Sequence, residues 1–174
     1  MAPWSVLSST SRSQRAARAP RLATTTAILA LLAGLLLVGG AGAGHAGQAA
    51  RTTPTSYAQQ AFAATNTQRK AARRVALGKN ACLQRYATRQ AKAMARRQSM
   101  FHQQLGPIMS ACKLSMVGEN VAYGYTSGRA AVAGWMGSPG HRANILNPRY
   151  RLLAVGAAQA SNGQWYSAQV FGRR

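Results

Sequence analysis

One carboxylate side chain, Glu119, stands against 22 lysines and arginines, and the chain has no aspartate. That imbalance removes whole architectures before any pattern is read. Paired-carboxylate glycosidases, aspartic proteases, EF-hands and Walker-type Mg²⁺ sites all need acids this chain lacks. A hydrophobic share of 47% still supports a core and argues against disorder throughout. A length of 174 residues suits one ordinary domain with a tail.

The tail is at the amino end. Arg12, Arg15, Arg18 and Arg21 form a basic stretch, followed by an apolar run from Ala27 to Val38 and by the small residues Ala41-Gly42-Ala43. Basic region, apolar region and A-x-A end make a secretory signal over residues 1–43. Retained as an anchor, the same segment would be a poor membrane helix, because glycines and threonines interrupt it. Residues 44–56 (GHAGQAARTTPTS) are small, polar and proline-bearing, and read as a linker. The domain then spans 57–174. Four arginines leave with the signal, so the exported part keeps 18 of the 22 cations against one acid, a net charge of +17.

Within the domain, the stretch from Tyr57 to Val75 lacks Gly and Pro and predicts a helix. A second helix is expected over 81–98. Leu83, Ala87, Ala91 and Met94 recur at helical spacing on one side of it, and Arg85, Arg89, Lys92 and Arg96 on the other. No interspersed acid neutralises that cationic stripe, so an anionic partner is favoured over a merely solvated face. The second half predicts a strand over 117–125, a short helix over 128–136, a further turn over 141–146 and strands over 151–158 and 164–171. Ser161-Asn162-Gly163 supplies the hairpin between the last two. Helices followed by a hairpin make an α+β domain with a sheet covered by helices.

Two cysteines in an exported domain favour a disulfide, Cys82 with Cys112. It would close a loop of about 30 residues and contribute about 3–4 kcal/mol in the chain-entropy account. Two thiols with three histidines in the whole chain make a metal-thiolate site the weaker alternative.

The polar chemistry gathers around Glu119. Read alone, it is either a structural hydrogen-bond acceptor or one member of a cluster with His102 and His141; His45 falls in the linker. One carboxylate and two imidazoles are donors suited to Zn²⁺ or a similar divalent ion, although their spacing is no metal motif. The surrounding cations should hold Glu119 ionised and disfavour the charged form of both histidines. The words around these residues are Gly118-Glu119-Asn120-Val121-Ala122 and Trp135-Met136-Gly137-Ser138-Pro139-Gly140-His141-Arg142-Ala143-Asn144-Ile145-Leu146, then Val155-Gly156, Trp165-Tyr166 and Val170-Phe171-Gly172. Together they resemble the CAP superfamily, the cysteine-rich secretory, antigen-5 and pathogenesis-related type proteins (SCP domain), in its small bacterial branch. Asn66 and Arg69 look like the opening Asn-x-x-Arg of that family.

The resemblance implies an α–β–α sandwich, with a small antiparallel sheet between helices and a central cleft. The family's cleft carries two histidines and two acids. His102, Glu119 and His141 take three of those places, and Ser138 stands where the second acid would fall. Members are mostly secreted proteins that bind lipids, sterols, glycans or other proteins. The expectation is therefore an exported, non-catalytic binding protein of the cell surface or medium, with the cleft of His102, Glu119 and His141 as its site and Ser138 on the rim. A divalent metal such as zinc is the candidate ion there, and none is required. The partners expected are anionic lipid or cell-wall polymer, with a small lipid or glycan as cleft ligand.

Two other readings are weaker. Ser138, His141 and Glu119 contain the elements of a Ser-His-acid hydrolase, but Ser138 precedes a proline and lacks the G-x-S-x-G elbow. Nucleic acid would bind by charge alone, because the basic runs contain one aromatic, Tyr86, and so no stacking platform. Trp135, Ile145, Leu146, Val155, Trp165, Tyr166 and Phe171 are expected in the core.

Overall fold

A computed structural model describes residues 52–174; the signal and most of the linker lie outside the described residues. The first helix, α1, runs Pro54–Ala71, three residues earlier than composition predicts. Thr53 and Ser56 explain the early start. The Thr53 hydroxyl accepts from Ser56 N at 3.1 Å, and the Ser56 hydroxyl accepts from Thr53 N at 2.9 Å. This capping box precedes a proline in the first turn, where its missing N–H costs nothing. The helix ends before Val75 because Arg73 turns left-handed, with φ 55°. β1 (Gly78–Lys79) is too short to show in the sequence. α2 (Ala81–Arg97) starts on an Asn80 cap and stops at Gln98, which is left-handed. Leu83, Ala87, Ala91 and Met94 are all fully buried, as their spacing predicts.

α3 (Leu105–Ala111) was hidden by Gly106 and Pro107, which sit in its first turn, where proline is tolerated. β2 (Met116–Tyr123), α4 (Gly128–Met136), α5 (Pro139–Leu146), β3 (Leu152–Gln159) and β4 (Trp165–Arg173) complete the order. The strands lie in the order β1-β3-β4-β2. β2–β4 and β3–β4 are antiparallel, while β1 joins β3 in parallel, so the sheet is mixed at one margin.

Helices cover both faces. Leu153, Val155 and Ala157 pack with Tyr57, Trp135 and Ile145 of α1, α4 and α5. Their neighbour Ala154, with Val170, packs on Leu83 and Ala87 of α2 and on Ile108 of α3. Burial on both faces is why β3 reads as a nearly unbroken apolar run, whereas in β4 the buried Ser167 and Gln169 interrupt it. Of the expected core residues, Leu146 alone is only partly buried. Among the described residues no helix is long and apolar enough to cross a membrane.

Cys82 and Cys112 are bonded, with Cα atoms 5.7 Å apart, and tie the start of α2 to the end of α3. Their sequence separation of 30 predicts a loss of about 3–4 kcal/mol when both become alanine. Thermal melts should show reductant lowering the midpoint of the native protein while leaving the double variant unmoved.

Candidate functional site: the free edge of β2

β2 lies at one margin of the sheet, and its side chains alternate between the two helical layers. Glu119 points into the α2–α3 layer and Asn120 into the α1–α5 layer. The Glu119 side chain is 1% exposed, whereas His102, which rests on it, is 60% exposed. His102 Nδ1 lies 2.9 Å from Oε2. Gln103 fills the remaining positions, its backbone N donating to Oε2 at 3.2 Å and its Nε2 to Oε1 at 2.6 Å. Among the described residues the single acid of the chain pairs with no lysine or arginine, and its one ion-pair contact is with His102. Gln103 carries no sequence signal beyond its place beside His102, and sequence reading missed it.

The other side of β2 explains the two motifs. Glu119 and Val121 turn their carbonyls outward, away from β4. Asn144 Nδ2 donates to Glu119 O at 3.2 Å, and Trp135 Nε1 donates to Val121 O at 3.0 Å. Trp135 and Asn144 thus cap an edge that would otherwise present unpaired carbonyls. Asn144 also donates to Asn120 Oδ1 at 2.9 Å, and Asn120 donates to the His141 carbonyl at 3.1 Å and to Gln169 Oε1 at 2.9 Å. Gln169 continues to Thr65 at 2.6 Å, and Thr65 to Ala61 O at 2.7 Å, so one buried chain links the cleft to α1. Gly118 is a packing requirement: a Cβ there would meet Tyr150 Oη at 2.2 Å and Asn144 Oδ1 at 3.3 Å. Asn120 and Asn144 each donate to a backbone carbonyl, those of His141 and Glu119. Arg142 is exposed.

His141 sits in the first turn of α5, half-buried. Burial, and then the nearby His102, lowers its pKa below the usual 6.5. The unfolded chain therefore takes up this proton before the folded one. His141 lends stability above about pH 6.5 that is lost as pH falls through and below that value. An NMR titration should place its midpoint below 6.5, and His102→Asn should move it partway back, because burial is the larger cause.

Ser138 caps α5 without a side-chain hydrogen bond, and its hydroxyl bonds neither histidine. No Ser-His dyad is assembled. The carboxylate pairs with His102 and not with His141. Among the described residues no group of three His, Cys, Asp or Glu side chains is arranged to hold a metal. Glu119 as placed is engaged on both oxygens by His102 and Gln103 and is not open to an ion.

A three-layer α–β–α sandwich with an imidazole–carboxylate pair at its sheet margin defines an SCP-type domain. A solved extracellular protein containing an SCP domain, from Bacillus anthracis, matches with a TM-score of 0.62 and 28% identity, over 70% of this chain and 41% of that one. An outer surface protein from Borrelia burgdorferi shares the fold at 18% identity with a TM-score of 0.58, over 65% of this chain and 89% of that one. The uncharacterized membrane protein YlbC of Bacillus subtilis is 56% identical over 39 residues, which are 22% of this chain and 11% of that protein. The chain belongs to the Cysteine-rich secretory protein family, CAP, whose profile matches residues 62–171.

Proposed function

We propose that this is an exported binding protein of the cell envelope or the surrounding medium, recognising its ligand at the β2-edge cleft and performing no chemistry there. Exposed His102 and half-buried His141 are the side chains offered to a ligand there, with Ser138 assigned to the rim. The observation that carries the reading is the engagement of both Glu119 oxygens. Its oxygens hold three N–H donors, so it orients His102 and Gln103 instead of standing free as a general base. A small lipid or glycan is the ligand class proposed for the cleft. The net charge adds a second attraction, toward anionic lipid or cell-wall polymer.

Cosedimentation with anionic liposomes and with wall polymer, at low and high salt, separates the two attractions. The part of the binding that survives high salt should be lost in Glu119→Gln and His141→Ala, while the part carried by charge should vanish in salt and ignore both substitutions. The absence of any salt-resistant part that depends on these two residues overturns the cleft as the site. Labelling by a serine-directed probe that His141→Ala abolishes would instead favour a hydrolase.

A further inference from the structure

The outer side of α2 carries Arg85, Arg89, Lys92 and Arg96, all exposed, at intervals of four, three and four residues. At 3.6 residues per turn these positions fall within an arc of about 60°, opposite the buried Leu83, Ala87 and Met94. A rise of 1.5 Å per residue spaces them about 6, 4.5 and 6 Å apart along the axis. The result is a straight row one residue wide and about 16 Å long. α2 contains no acid, and Glu119 lies buried in another element, so nothing on the protein neutralises the row. The stems of the four side chains line a shallow groove of about 500 Å³ along the helix. The Arg89 guanidinium lies 4.7 Å over the Tyr86 ring, which limits its freedom before any ligand arrives.

A single row of charges matches a thread better than a plane. A backbone rises 3.3–3.6 Å per three bonds when extended, so a chain with one phosphate every six bonds spaces its charges by up to about 7 Å. Slight contraction brings that repeat onto the spacing of the row. We propose that α2 is a docking rail for an extended phosphodiester polymer, with three to four consecutive phosphates lying along Arg85, Arg89, Lys92 and Arg96. This deepens the anionic-partner half of the proposed function and is independent of the cleft. The one aromatic beside the row, Tyr86, already has a ring face covered by Arg89, so the rail reads phosphate spacing and not bases. The occupant is a polyol phosphate, because a row without a stacking platform offers a nucleic-acid strand nothing beyond its phosphates.

The full chain would be titrated with a labelled 1,3-linked glycerol phosphate octamer between 50 and 200 mM salt. Four phosphate contacts on a single-stranded polymer predict a log–log salt slope near −3, roughly a fifty-fold loss across that range. R85Q/R89Q/K92Q/R96Q should weaken binding at least tenfold at low salt and flatten the slope, with Gln retaining helix propensity. The equally charged control K70Q/R73Q/R74Q/R129Q, built on exposed cations elsewhere, should lose at most about threefold. The charge-keeping R85K/R89K/K92R/R96K should retain most of the affinity even if the neutralised variant folds poorly. E119Q and H141A should bind the octamer like the native protein, so failure of the cleft reading leaves this one standing. Oligothymidylate of the same length should bind no tighter than the octamer, and tighter binding through these four residues would overturn a polyol phosphate as the occupant. Equal loss in both neutralised variants would mean that net charge alone binds. Phosphatidylglycerol vesicles bound through these four residues while the octamer is ignored would mean a membrane surface. Either result overturns the proposal.

Discussion

Gly156→Ala should unfold more of this protein than any other single-methyl change in β3. A Cβ at that position would lie 2.2 Å from Ala87 O, 2.3 Å from Ala87 C and 2.5 Å from Thr88 N. All three atoms are α2 backbone, so no rotamer change relieves the clash, and the helix itself must lift off the sheet. Overpacking commonly costs about 1–3 kcal/mol; moving a helix backbone that also covers Ala154 and Val170 belongs at or above the top of that range. A melting point lower by roughly 10 °C or more is the expected reading, at about 4 °C per kcal/mol for a domain of this size. Gly106→Ala is the comparison, because nothing lies within 4 Å of a Cβ there and the residue is in helix α3. That change should be neutral or stabilise by up to about 1 kcal/mol. Equal melting points for the two variants would show that α2 does not rest on Gly156 as described.

The same position shows what the sequence makes legible. Val155-Gly156 carries the family resemblance as a pair of letters, but the reason for the glycine lies 69 positions away, in the backbone of α2. Periodicity exposed α2 itself, since its apolar and cationic stripes are local patterns, and Asn-Gly exposed the hairpin. β1 and α3 escaped for opposite reasons. β1 is two residues long and exists only because β3 accepts it as a partner. α3 carries a Gly-Pro pair that reads as a breaker until its place in the first turn is seen.

The candidate site divides in the same way. His102, Glu119 and His141 were legible as residue types that are scarce in this chain. Their arrangement was not. Gln103 meets Glu119 through a loop, Gln169 meets Asn120 across strands, and Thr65 meets Gln169 from another layer, with nothing local to mark them. The sequence likewise left the partner of the acid open. It also offered Ser138 to the cleft, where the fold uses it to start a helix.

Arg69 is the second residue whose loss should be severe, and it tests whether the cleft is held from behind. Its side chain is fully buried in a domain that offers no carboxylate to meet it. Three carbonyls take that place: Nε donates to Val75 O at 2.8 Å, and Nη1 donates to Ile145 O and Asn147 O, both at 2.8 Å. The last two are the closing carbonyls of α5, the helix that carries His141 and Asn144. Arg69→Met keeps the volume and leaves three acceptors without donors. With hydrogen bonds to a charged group at about 1.5–3 kcal/mol each and only partial rescue by water, the loss should be about 4 kcal/mol. Arg69→Lys retains the charge without the fork, and should lose about half as much. The functional consequence follows from α5. With its end released, the bonds from Asn144 to Glu119 O and from Asn120 to the His141 carbonyl slacken, and water reaches the His141 ring. The depressed His141 pKa should then rise toward 6.5 in Arg69→Lys, read by NMR on the folded fraction. A lysine variant that melts lower yet leaves the His141 titration untouched would mean that Arg69 supports the fold without positioning the cleft.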